Sequence, residues 1–318
     1  MAEIGKNLQK AKELLDQGDL VAIPTETVYG LAGNALNVKA VVKIFQVKNR
    51  PQFDPLIVHV ANMAQAKEFV ESFPAKAEKL ALKFWPGPLT LLLKKRTLIP
   101  DLVTSGMDTV GIRCPDHPLT QTLLQSLPFP LAAPSANPFG YVSPTRPDHV
   151  NDQLGDQLKY ILDGGECRVG LESTIIGFEN DRAIIYRLGG LCIEDIENEI
   201  GKVEVQLNSS SDPKAPGQLK SHYAPRKKVE IGNLSELIKQ YKHRKVGVLA
   251  FQKGIESIDP KNQIILSKSG NVDEAAQYFF AALRELDKKE IDIILSELLP
   301  EAGLGKAIND RLRRASAD

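Results

Sequence analysis

VAIPTETVYGLAGNA (residues 21–35) and, after an amphipathic segment, KNRPQFDPLIVHV (residues 48–60) decide the fold. An apolar strand over 20–23 stops at Pro24 and opens into a Thr/Glu/Thr/Tyr turn. Asn37 is placed to cap a helix that turns Val38, Val41, Val42 and Phe45 to a core, and 56–60 returns as a strand. In open α/β sheets, ligands gather outside the carboxyl ends of strands. Thr25, Thr27 and Tyr29 are therefore candidates to orient a small polar molecule, the plainer reading being a turn around a buried Tyr.

Outward from this stretch, the chain reads as helices over 4–15, 64–70, 75–85 and 119–127, with strands at 89–93, 109–113 and 131–133. A hairpin over 173–187 turns at 179–182. Interleaving of this kind predicts a mixed sheet carrying helices. Polar, Pro/Gly/Ser-rich residues 206–225 read as a linker, although they carry His222 and Tyr223. Beyond them the order is strand 229–231, helix 234–241, strands 246–251 and 264–266, helix 272–286, strand 291–295 and a last helix. That is a small Rossmann-like parallel α/β unit. The expected division is 1–205, linker 206–225 and 226–318. The second unit lacks Gly-x-Gly-x-x-Gly after its first strand, so no dinucleotide site is expected there; no organic cofactor is expected for the chain.

Composition sets the outer limits. With 318 residues, 42% hydrophobic and 25% charged, the chain is of ordinary globular type. Forty basic residues balance forty acidic ones, which argues against a nucleic-acid coat. No apolar run is long enough for a membrane span and the N-terminal residues lack a signal-type block, so a cytoplasmic protein is expected. Cys114, Cys167 and Cys192 are too scattered for a disulfide framework or a metal site.

The candidate chemistry is anion binding. Lys48 and Arg50 sit where Pro51 ends a helix; together they suit a polyphosphate, or simply complement the helix dipole. His59 near the end of LIVHV reads as a core histidine or a ligand contact. Arg113 ends a buried strand and needs an anion, from the protein or from a substrate. The loops holding Ala133, Ser135, Asn137 and Ser143 present hydroxyls, an amide and backbone N–H groups. Gly164-Gly165 and Glu172-Ser173-Thr174 repeat the theme, and Arg187 closes the hairpin. There is no Walker motif, nucleophile elbow or zinc-spaced His pair. Many anion binders without a nucleophile fit phosphoryl or nucleotidyl transfer.

PTETVYGLAGNA, Lys-x-Arg-Pro running into PLIVHV, WPGPLTLLL, TVGIRCPDHP, APSAN, SPT and GLESTII resemble, in order, the YrdC-like family. HYAP and AINDRLRRAS resemble its long two-domain form. The resemblance implies a twisted mixed sheet with helices and a reaction joining L-threonine, bicarbonate or CO2, and ATP into threonylcarbamoyl-AMP and pyrophosphate. The product would pass to a complex that threonylcarbamoylates adenosine 37 of tRNA, and Mg2+ would accompany ATP. By matching motif, Thr27, Tyr29, His59, Arg113, Ala133 and Ser173 are implied threonine contacts. Lys48, Arg50, Thr109, Ser135, Asn137, Ser143 and Arg187 are implied nucleotide contacts, Lys48 and Arg50 as the catalytic pair. Asp54 is a weaker nucleotide contact, and Tyr223 closes over the site as a lid element. The chain departs from the family pattern at Asn49, usually Gly; at Asp54, usually Asn; at Leu188, usually Pro; and at 215–218, where Met-Lys is common. The linker's Ser-rich sequence and HYAP predict ordering upon ligand binding. Two rival readings are an RNA-binding module with a basic concave face, and a carbamoyl transferase using carbamoyl phosphate.

Overall fold

The computed structural model describes residues 1–180, 182–207, 216 and 223–317. His222 and most of the 206–225 segment, with its expected ligand-coupled ordering and the 215–218 departure other than Pro216, lie outside the described residues. Asparagines open five of the helices: the side chains of Asn7, Asn37, Asn62, Asn233 and Asn271 each accept a backbone N–H of the first turn. Asn7 explains one difference from the sequence reading. The first helix is Leu8–Asp16, because the cap sets its start, and Ile4 lies instead in a short edge strand.

Eleven strands form the first sheet: β1 (Glu3–Gly5), β2 (Val21–Ile23), β3 (Gly30–Asn34), β4 (Ile57–His59), β5 (Leu89–Lys94), β6 (Thr109–Arg113), β7 (Leu131–Ala132), β8 (Tyr160–Leu162), β9 (Thr174–Glu179), β10 (Arg182–Arg187) and β11 (Glu204–Val205). Their order is β1-β8-β2-β3-β7-β4-β6-β5-β9-β10-β11, with parallel and antiparallel neighbours mixed. Strand β3, GLAGN, has no counterpart in the sequence reading, since glycine and alanine carry little strand propensity. Its Gly33 lies so close to its neighbours that a Cβ would meet Leu20 at 2.8 Å. The helix Val38–Lys48 forms with Asn37 at its cap, but its buried face is Ala40, Val41, Ile44, Phe45 and Lys48. Val38 is half exposed.

The second sheet holds β12 (Lys228–Ile231), β13 (Val246–Ala250), β14 (Gln263–Ile265) and β15 (Ile293–Ser296) in the order β12-β15-β13-β14, with every neighbour parallel. Such a sheet needs cover on both faces. One hydrophobic cluster runs from Leu31 and Leu171 in the first unit to Phe279, Leu283 and Leu312 in the second. Buried arginines stitch the seam: Arg284 donates to the Ser143 carbonyl (3.2 Å) and Gln153 Oε1 (2.9 Å), and Arg311 to the Leu188 carbonyl (2.7 Å). No described helix is long and apolar enough to cross a membrane.

Candidate anion-binding cleft

Directly paired residues on neighbouring strands point to the same face of a sheet. The register places His59 beside Arg113, Arg113 beside Thr90, Thr90 beside Ile175 and Ile175 beside Arg187. At this row, a cleft is lined by His59, Arg113 and Arg187 from the sheet and by Ser173 just before β9. Arg50, Ala133, Ser135 and Glu172 come from the loops, with Pro216 and Tyr223 from the segment joining the two units.

Each cleft arginine has protein partners, and Arg113 keeps a donor to spare. Arg113 Nη2 is 2.7 Å from Glu26 Oε1, and Glu26 Oε2 accepts the Asp116 N–H at 2.9 Å. Its buried Nε has no partner. Arg113 thus pairs with a protein carboxylate and also lines the cleft. Arg187 donates to the Ser173 carbonyl and hydroxyl, both at 3.0 Å, and that hydroxyl also meets Thr90 Oγ1 at 2.7 Å. Arg50 donates from Nε to the Asp54 carbonyl (3.0 Å) and from Nη2 to the Pro55 carbonyl (2.8 Å). Its carboxylate neighbour Asp54 lies 2.9 Å away. Burial lowers the pKa of Arg50 and Arg187, and raises that of Asp54 against the opposing pull of Arg50.

His59 is neutral at physiological pH. Burial first and Arg113 second push its pKa down to about 3. Its Nδ1 is 3.3 Å from the Ile57 carbonyl. A carbonyl only accepts, so the proton resides on Nδ1 and Nε2 remains an acceptor.

Several expected contacts lie elsewhere. Lys48 is buried, and its ammonium donates to the carbonyls of Ser135 and Asn137, both at 2.5 Å. It thereby holds the 133–137 loop instead of facing the cleft. Burial, then Arg50, pushes its pKa well below the ordinary value. The Tyr29 hydroxyl is spent on Gly165 (2.8 Å) and Gly164 (3.1 Å), and Thr27 Oγ1 on Thr25 Oγ1 (2.8 Å). Asn137 donates its amide to Pro138 and Tyr141 carbonyls. Ser143 Oγ donates to Glu172 Oε1 at 2.5 Å. All of these are buried behind the cleft wall. Thr109 lies four residues along β6 from Arg113, about 13 Å at strand rise, in a second cleft lined by Leu92, Met107, Phe178 and Tyr186. Between the clefts runs a row of paired residues, Ile57, Gly111, Leu92, Gly177 and Ile184. The two glycines leave its floor low: a Cβ on Gly111 would meet Thr90 at 3.2 Å, and one on Gly177 would meet Tyr186 at 2.8 Å.

Asn49, where glycine is common, takes a left-handed conformation (φ 51°) at the helix end. Asparagine is among the few residues that tolerate this. Glu26, Glu172 and Arg311 are the groups that sequence reasoning left without a role. Glu172 accepts from Arg311 Nε at 3.0 Å, and the Arg311 guanidinium stacks 4.7 Å from the Tyr223 ring centre. A helix of the second unit therefore braces the wall of the cleft in the first.

Three arginines converge on a narrow cleft of an α/β sheet with a neutral imidazole among them, an arrangement suited to small anions. Residues 13–189 match the family model described as "Telomere recombination" (Sua5/YciO/YrdC), and residues 191–317 match "Threonylcarbamoyl-AMP synthase, C-terminal domain". The chain belongs to this Sua5/YciO/YrdC family, in its two-domain form. It is similar to the threonylcarbamoyl-AMP synthase of Pyrococcus abyssi, 41% identical over 96% of this chain and 93% of that protein. It is also similar to the threonylcarbamoyl-AMP synthase of Bacillus subtilis, 38% identical over 97% and 92%. The crystal structure of P. abyssi Sua5 complexed with L-threonine superposes with a TM-score of 0.92 at 39% identity, covering 99% of this chain and 97% of that one.

Proposed function

We propose that this chain is a nucleotidyltransferase that makes threonylcarbamoyl-AMP from L-threonine, bicarbonate and ATP, releasing pyrophosphate and water. The observation that carries the reading is the cleft lined by Arg50, Arg113 and Arg187, where Arg113 keeps an unpartnered buried Nε, beside the acceptor nitrogen of His59. The threonine nitrogen adds to CO2 and loses a proton, giving a carbamate. A carbamate oxygen then attacks the α-phosphorus, and the bond to the bridging oxygen of the pyrophosphate breaks. The work is to position two anions and offset charge, for which no covalent nucleophile is needed.

Arg113 takes the threonine carboxylate, with His59 and Ser173 orienting its polar groups and the Ala133 backbone alongside; Thr27 and Tyr29 shape the turn behind them. Arg50, Arg187 and Ser135 take the phosphates, and Tyr223 covers them. Lys48, Asn137 and Ser143 act through the loops they fix, and Asp54 through Arg50. The low glycine floor supports a nucleotide extending from the arginine cleft toward Thr109. Mg2+ would enter with the nucleotide, as MgATP. The product serves a tRNA threonylcarbamoyl-transfer complex acting at adenosine 37, in the cytoplasm.

The test is pyrophosphate release from MgATP and bicarbonate, with and without L-threonine, beside an Arg50→Ala control. Threonine-dependent release that serine supports poorly and Arg50→Ala abolishes is the expected result. Release indifferent to threonine, or none from folded protein, would sink the proposal and leave family membership as a statement about fold.

A further inference from the structure

Asp54 follows Arg50 by four residues, in the loop between the Val38–Lys48 helix and β4. Its side chain is fully enclosed, and Oδ2 lies 2.9 Å from Arg50 Nη2. Yet neither carboxylate oxygen takes part in a hydrogen bond: the two groups are close, but the angles do not aim an N–H at the acid. The orientation of Arg50 is fixed by the carbonyls of Asp54 and Pro55, which accept from Nε and Nη2. The carboxylate therefore contributes charge to this corner and little geometry.

Enclosing a carboxylate without donors is costly, and a neutral side chain of the same shape would avoid the cost. The charge must then act on something other than packing. Its surroundings are cationic: Arg50 is in contact, and Lys48 and Arg187 act on it through space. Arg50 faces the cleft while Asp54 sits behind it, outside the lining. An opposite charge at this separation, in a poorly solvated site, offsets much of the field that the guanidinium presents to a ligand.

We propose that Asp54 is an internal counter-ion that limits the grip of Arg50 on phosphate groups, so that pyrophosphate leaves after the reaction. The inference rests on the proposed reaction, in which a polyanion must be held strongly enough to react and then be released. Asp54 is a positioning and affinity-setting residue, not a catalytic one, since it touches Arg50 and not the cleft.

The experiment is calorimetric titration of pyrophosphate, and separately of MgATP, into wild type, Asp54→Asn and Asp54→Ser, with steady-state kinetics alongside. Both neutral variants should bind pyrophosphate about tenfold tighter, which is about 1.4 kcal/mol. At saturating substrate kcat should fall as release slows, and the KM for threonine should fall with it, leaving kcat/KM unchanged. A purely structural role would weaken binding and raise both KM values, and that result would overturn the proposal. Unchanged pyrophosphate affinity in both variants, with wild type binding normally, would overturn it and leave the proposed reaction intact. Wild type that binds neither ligand would overturn both together. Loss of the folded state in both variants would also overturn it, since the carboxylate would then be structural.

Discussion

Two sets of buried arginines divide the molecule. At the seam between the units, Arg284, Arg311 and Arg314 spend their donors on the protein. Arg311 meets Glu172, Asp310 and the Leu188 carbonyl; Arg314 meets Asp310 and the Leu207 carbonyl. Arg284 meets three backbone carbonyls and Gln153. In the cleft, Arg113 has one carboxylate and a buried Nε left over. Burial is similar in both places, so burial alone does not separate structural from functional arginines. The unspent Nε of Arg113 does mark it out, because a buried donor without a partner is tolerated only where something else supplies one.

The sharpest way to break this contrast is at the seam. Arg311→Ala leaves Glu172 and part of Asp310 as uncompensated buried charges, and should cost about 3–5 kcal/mol of stability in a urea titration. An unshifted midpoint would mean that the seam arginines are no more committed than those of the cleft. Arg187→Ala should behave in the opposite way. Loss of charged hydrogen bonds to a ligand lowers kcat/KM for ATP about 10- to 150-fold, with a smaller change in melting temperature. A large fall in stability with activity per folded molecule preserved would place Arg187 with the seam.

Two histidines extend the comparison into pH. Burial pushes both His59 in the cleft and His149 at the seam down to about 3 from the ordinary 6.5. Between those values the unfolded chain binds a proton that the folded one refuses. The stability is therefore fully present above pH 6.5 and is lost as pH falls toward 3, at up to about 1.4 kcal/mol per pH unit for each group. His59→Asn should flatten the slope of unfolding free energy between pH 4 and 6 by about one such share, and an unchanged slope would show that His59 is protonated in the folded protein. The smallest effect is expected at Thr109. Thr109→Val should raise the KM for ATP about 2- to 10-fold through one neutral hydrogen bond and leave that for threonine alone; equal changes in both would detach the second cleft from the nucleotide.

Much of this was legible in residue order. Strand β6 is visible in Thr109–Arg113, and the asparagine cap at Asn37 marks its helix. Strand β3 is not visible, because GLAGN forms a strand through close packing and pairing and not through propensity. The helix Pro147–Leu154 was hidden by the Pro- and Ser-rich residues before it. At the site, residue types pointed to anion binding but not to who faces whom. Lys48 and Arg50 are adjacent in pattern, yet one points to a loop and the other to the cleft. The Glu26–Arg113 pair spans 87 residues, and nothing local announces such a partner. Charge partners are set by the fold, so sequence can list them but cannot match them.

Glu172 and Arg311 are 139 residues apart, and that distance has a meaning during synthesis. A nascent chain has the sheet, the cleft arginines and the hydroxyl loops long before the helix carrying Arg311 is made. Until then, Glu172 lacks its cation and Tyr223 lacks the guanidinium beneath its ring. The wall of the cleft is thus among the last parts of the protein to be assembled.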